Sequence, residues 1–301
     1  MNKRLWLGLL LGLLWLAACN SGTTQPPPSG GGGDTTPTVD AREVAATLDV
    51  ATAQIYALMQ PFAMAGMPLP IFFVPLSDGT LALDEATWDC DSVTASGDLT
   101  DADADGVPVA ATLNGRCSWS YSGPEGASSG YWEYVNLVVR DPNDTDPNAG
   151  VSASGQVVLG VTTPEETMTL TWTLNRHEFV KEGASFRFAY EGRWDAELSA
   201  GSITTNYAFS GTWVPDDAAN PWGDGTLNGN GNYSGAGPSC PSWSVSTSVT
   251  NVHYTGGKID AGSASFSGTD CDGETSSGTV TWTASEVCIT VEGQQYCYPN
   301  E

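Results

Sequence analysis

From Thr167 to Leu174 the chain reads Thr-Met-Thr-Leu-Thr-Trp-Thr-Leu, polar and apolar in strict turn. Side chains along a strand point to opposite faces with a period of two, so this run has one wet face and one dry one. The pattern recurs. Phe186, Phe188 and Tyr190 alternate with Arg187, Ala189 and Glu191. Tyr207, Phe209 and Trp213 keep the same spacing, and Val280 and Trp282 stand between Thr279, Thr281 and Thr283. From about Phe72 onward no helical stretch breaks the series.

That absence fixes the pairing. A parallel pair needs a long crossover, usually a helix, whereas antiparallel strands are joined by short turns. Roughly a dozen strands with one solvated face are predicted. A sheet of that width must curl, close or split into layers. The fold class read from the sequence is therefore all-β, a large curved antiparallel sheet or open barrel, with a two-layer β-sandwich as the alternative. One helix is predicted, over about residues 41–60. Asp40 and Glu43 form a capping box, Val44, Leu48, Ala51, Ile55 and Leu58 share a face, and Pro61 ends it. Its apolar face is expected to pack on the sheet.

The N-terminus carries different information. Lys3 and Arg4 precede an apolar run from Leu5 to Leu16, followed by small residues. This is the order of a secretory signal, and the run is too short to span a bilayer. Leu16-Ala17-Ala18-Cys19 resembles the lipobox of bacterial lipoproteins. The resemblance implies cleavage after residue 18, a diacylglyceryl group on the Cys19 thiol and acylation of the new amine. More than one acyl chain anchors stably. The expected mature protein is therefore held to the membrane by lipid alone. Asn20, rather than Asp, points within that resemblance to the outer membrane or cell surface. Residues 19–38, with three consecutive prolines and four consecutive glycines, read as a flexible tether. Residues 39–301 read as a single β-rich domain.

Export makes the other cysteines disulfide candidates. Val291-Glu292-Gly293-Gln294 reads as a two-residue hairpin turn. That register sets Cys288 opposite Cys297 at a non-hydrogen-bonded pair, where Cα atoms come closest. Cys90–Cys117 and Cys240–Cys271 follow as the next nearest pairs. No C-x-x-C pair is present, which argues against zinc and thioredoxin-like chemistry.

The formal net charge of −25 repels nucleic acid and anionic headgroups and attracts cations. One motif gives the cation a place. Asp101-Ala102-Asp103-Ala104-Asp105-Gly106 has the D-x-D-x-D-G spacing of calcium loops, in which alternate carboxylates converge on a hard ion and glycine permits the turn. It is not an EF-hand, because Thr112 stands where the bidentate Glu belongs and β-forming residues replace the exiting helix. Further ligands are expected from Asp98, or from Asp144 and Asp146 in the second acidic loop, Asp141-Pro142-Asn143-Asp144-Thr145-Asp146. The expected role of Ca2+ is structural.

Other motifs carry less. Gly126-Ala127-Ser128-Ser129-Gly130 matches G-x-S-x-G, but a strand follows the serine where a nucleophile elbow needs a helix. His177 and His253 belong to no metal motif, and no ordered pair of carboxylates suggests glycoside hydrolysis. Arg176, Lys181, Arg187 and Arg193 alternate with acids that can pair with them. Trp222, in a Gly/Asn-rich loop, stands apart from the strand tryptophans. A loop aromatic can stack on a sugar, but the commoner role, and the one expected here, is to plug the loop onto the sheet. The expectation is a non-enzymatic envelope lipoprotein with a binding or structural role. A cell-surface carbohydrate-binding module and a carrier of lipid or another hydrophobic ligand are the alternatives.

Overall fold

A computed structural model describes residues 87–123, 126–164, 166–220, 223–256 and 258–300. The signal, Cys19, the tether, the helix expected at 41–60 and Trp222 lie outside the described residues. The strands run β1 (Thr87–Asp89), β2 (Thr94–Asp98), β3 (Ala110–Gly123), β4 (Gly126–Arg140), β5 (Gly150–Thr162), β6 (Thr167–Glu182) and β7 (Ser185–Leu198). They continue as β8 (Gly201–Pro215), β9 (Gly225–Gly237), β10 (Cys240–Thr255), β11 (Lys258–Thr269), β12 (Thr275–Trp282), β13 (Glu286–Val291) and β14 (Gln294–Pro299).

All of them join one 14-stranded antiparallel sheet. From β3 to β14 each strand pairs with the next in sequence, a plain meander. β1 and β2 both pair with β3, at Asp89↔Ser118 and Thr94↔Asn114. They are two pieces of one interrupted edge strand. The sheet is not closed, since β1 and β14 stand at opposite ends of the strand order. The all-β class and the open antiparallel sheet read from the sequence are what the chain adopts. The strands make one continuous sheet, not two separately hydrogen-bonded layers.

The core lies where the alternation places it. In β6, Trp172 and Leu174 are buried while Thr169 and Thr171 occupy the other face. Two clusters of buried side chains result. One gathers Leu113, Trp132, Tyr134, Leu137, Val157 and Trp172. The other gathers Phe179, Phe188, Phe209, Trp213, Val252 and Trp282. Trp194 packs against both. Each fully buried large apolar side chain contributes on the order of 2–3 kcal/mol.

The alternation changes phase within strands, and it does so twice in the same manner. In β4 the buried residues are Trp132 and Tyr134, then Leu137 and Val139. The phase shifts at Asn136, whose φ of 49° is left-handed. In β10 they are Thr247 and Val249, then Val252 and Tyr254, with Asn251 at φ 50° between them. These are β-bulges, which add a residue to one strand and bend it. Each bulged amide donates to an asparagine of the preceding strand: Asn136 N to Asn114 Oδ1 at 2.9 Å, and Asn251 N to Asn228 Oδ1 at 2.8 Å. Each bulge faces a left-handed glycine on the following strand, Gly155 at φ 132° and Gly262 at φ 109°. The tetrapeptide Thr-Leu-Asn-Gly occurs at 112–115 and again at 226–229. β3–β4–β5 and β9–β10–β11 are thus two copies of one frame.

Three disulfides fasten the sheet. Cys90–Cys117 ties the interrupted edge strand to β3, and Cys240–Cys271 ties the start of β10 to the residues just after β11. Cys288–Cys297 crosses the last hairpin at a directly opposed pair, and Val291 faces Gln294 across the turn. Glu292 and Gly293 both have positive φ, 50° and 81°, as a type I′ turn requires.

Candidate metal centre

The connection from β2 to β3 and the connection from β4 to β5 leave the sheet at the same end, beside the first bulged frame. They are laced together. Val109 N donates to Thr100 O at 2.9 Å within the first, and Asp141 N of the second donates to Pro108 O of the first at 3.0 Å. Asp101 is buried, with 3% of its surface exposed, and it organises the loop. Its Oδ1 accepts from Asp105 N at 3.2 Å and its Oδ2 from Gly106 N at 3.0 Å. Ala104 (φ 61°) and Gly106 (φ 88°) make the left-handed turns that bring these amides round. Asp105 Oδ1 accepts from Val107 N at 2.7 Å. Asp144 reaches in from the other connection and accepts from Ala102 N at 2.7 Å.

Carboxylate oxygens of Asp101, Asp103 and Asp144 lie within 4.8 Å of one another. Asp103 Oδ2 and Asp141 Oδ2 are buried and accept no hydrogen bond. A buried carboxylate oxygen without a partner is costly, and a cation removes the cost. The electrostatics agree. Desolvation, reinforced by the neighbouring carboxylates, raises Asp103, pushes Asp105 up to about 7 and lifts Asp141 to about 6. Carboxyls so placed resist ionisation until a positive charge sits among them. All the donors are oxygens, which suits a hard divalent cation of the calcium type.

Of the residues singled out from sequence, Asp101, Asp103, Asp105 and Asp144 belong to this cluster. Asp98 and Asp146 are held elsewhere. Asp98 Oδ1 accepts from Thr100 N and Thr100 Oγ1, at 3.2 and 2.7 Å, and these bonds lower its pKa. Asp146 Oδ2 takes Lys181 Nζ at 2.7 Å, and that contact lowers its pKa as well. Asp141 joins the cluster in place of Asp146. It opens the second acidic loop, and its own N–H pairs with Pro108 O of the first.

The remaining candidates sit in ordinary strand positions. Gly126–Gly130 forms the start of β4, with Ser128 opposite Tyr121, so no elbow exists there. His177 is half-buried in β6, its Nε2 2.9 Å from Tyr207 Oη, and desolvation of the ring pushes its pKa down to about 3. Arg176 and Arg187 share Glu178, and Arg193 grips Asp195. His253 lies between two carboxylates. Comparison of the chain with protein-family models, with curated proteins and with solved structures finds no match in any of the three.

Proposed function

We propose that this chain is a lipid-anchored envelope protein with a non-enzymatic, binding or structural role, whose sheet is locked at one end by a calcium ion. The ion is held by Asp101, Asp103, Asp105, Asp141 and Asp144. The observation that carries the calcium reading is the pair of buried, unpartnered oxygens, Asp103 Oδ2 and Asp141 Oδ2, beside three further carboxylates. The ion's role is to neutralise the cluster and join the β2–β3 connection to the β4–β5 connection. Lipid anchoring rests on the Lys3–Cys19 segment, which resembles a lipoprotein signal.

Calcium binding is tested on the oxidised, folded chain by calorimetric titration and thermal melting, in calcium and in chelator. A ligand that binds only the folded state at a hundredfold excess over its Kd stabilises by about 2.7 kcal/mol. Calcium should raise the Tm of the wild type, and Asp103→Asn should weaken the response at least tenfold in calcium concentration. An unchanged Tm sinks the calcium reading. The anchor is tested separately. Cys19→Ala should abolish acyl labelling and release the protein from membranes.

A further inference from the structure

We propose that His253 is a proton-operated latch that holds Asp216, at the start of the connection between β8 and β9, against the sheet at its second bulged frame. His253 lies on β10 two residues beyond the bulge at Asn251. Its Nδ1 is 2.6 Å from Asp260 Oδ1 of β11 and its Nε2 is 2.9 Å from Asp216 Oδ2. A carboxylate accepts hydrogen bonds and cannot donate them. With one carboxylate at each ring nitrogen, both nitrogens must carry protons, so the arrangement requires the imidazolium.

The charged groups around the ring support that state. The β8–β9 connection brings Asp216 and Asp224, and β11 brings Asp260 and Lys258. Asp224 Oδ1 is occupied by Gly256 N at 2.8 Å, and Lys258 Nζ donates to Asn300 O at 2.8 Å. β9 sets Thr226 opposite His253, and Thr255 Oγ1 lies 3.3 Å from Nδ1, neither of them charged. The two carboxylates that touch the ring raise its pKa, Asp216 first and Asp260 next.

Loss of the proton leaves one ring nitrogen with a lone pair facing a carboxylate. Asp260 is fixed in β11, whereas Asp216 belongs to a connection and is half exposed, so Asp216 is the partner that leaves. Among the described residues, two further bonds involve the connection's ends. Asp216 N donates to Asp224 O at 2.9 Å, within the connection, and Gly256 N to Asp224 Oδ1 is the bond that crosses. Release of Asp216 therefore loosens its pairing with Asp224 and, through it, the Gly256 N–H bond to Asp224 Oδ1. The latch is independent of the calcium reading and shares no residue with it.

The chain has 2 histidines, and desolvation pushes His177 down to about 3, so the imidazole with a raised pKa is that of His253. NMR of the imidazole protons in the full oxidised chain, recorded both in calcium and in chelator, reads it directly. The expected wild-type midpoint lies above the ordinary histidine value. Asp216→Asn and Asp260→Asn should each lower it by about one unit. Exchange of the Gly256 amide, corrected for intrinsic base catalysis, should accelerate about tenfold across that midpoint. A midpoint at or below the ordinary value overturns the latch. So does a midpoint indifferent to Asp216→Asn, or a Gly256 amide indifferent to the titration.

Discussion

The β2–β3 connection and the β8–β9 connection enter equivalent strands, β3 and β9, shortly before the same Thr-Leu-Asn-Gly. Both are acidic, and both must be held against a sheet end in a chain of net charge −25. They are held by different means. In the first copy, Asp101, Asp103 and Asp144 converge on one another, and on the proposed reading the positive charge is a calcium ion from solution. In the second, Asp216 and Asp260 converge on His253, and the chain supplies the charge itself. The length of the neighbouring connection explains the divergence. β4 and β5 are joined by a long acidic loop that delivers Asp141 and Asp144, whereas β10 ends at Thr255 and β11 begins at Lys258. A turn that tight has no room for ligands.

The equivalence of the two frames is the part most easily broken. A Cβ on Gly155 would strike the Asn136 carbonyl oxygen and come within 2.7 Å of Leu137 Cα. A Cβ on Gly262 would strike the Asn251 carbonyl oxygen and come within 2.5 Å of Val252 Cα. Both positions are also left-handed, which any side chain resists. Gly155→Ala and Gly262→Ala should each cost about 3 kcal/mol in urea unfolding. Equal losses support two copies of one frame, and a loss at only one of them refutes it.

The next largest effect separates the two fastenings. In chelator the amides of Ala102, Asp105 and Gly106, which donate to Asp144 and Asp101, should exchange faster than in saturating calcium. At a hundredfold excess of calcium over its Kd the difference corresponds to about 2.7 kcal/mol of local stability. The Gly256 amide should not respond. A calcium response at Gly256 would show that the two loops are coupled rather than separately fastened.

A smaller, symmetric effect belongs to the asparagines. Asn114→Ala and Asn228→Ala each remove one acceptor from a bulged amide. Each should cost about 1 kcal/mol, the net worth of one hydrogen bond. Thermal melting of both variants in saturating calcium checks the pair.

The alternating strands were legible in sequence because burial on one face selects residue type at every second position, as Thr169, Leu170, Thr171 and Trp172 illustrate. The Cys288–Cys297 hairpin was legible because a two-residue turn fixes register by counting. The phase jumps at Asn136 and Asn251 were not. A period-two pattern breaks at a bulge, and the break looks like noise unless the two copies are aligned on Thr-Leu-Asn-Gly. That repeat was the available signal. The acidic loop was visible through its spacing, yet Asp141 was passed over for Asp146, since only the fold reveals that Lys181 claims Asp146. His253 carried no motif at all. Its partners come from 37 residues before it and 7 residues after it in the chain.

The smallest expected effect discriminates most finely between the two histidines. His177 is held neutral by burial, so its folded pKa lies below the unfolded value of 6.5. The unfolded chain then binds the extra proton below 6.5, and His177 costs stability as the pH falls from there. His253 has its folded pKa raised above 6.5 by Asp216 and Asp260. Its contribution is complete below 6.5 and is lost as the pH rises through the folded value. In saturating calcium, where the acidic loop holds a cation instead of protons, wild-type stability should climb toward about pH 6.5 and then decline. His253→Gln keeps the climb, because His177 is untouched, and removes the decline. The change is shallow, since Asp216 is half exposed and screened by water. Denaturant midpoints of the two proteins measured from pH 5 to 9 should therefore converge on the alkaline side. Parallel curves would mean that His253 fills space without binding a proton more tightly in the folded chain.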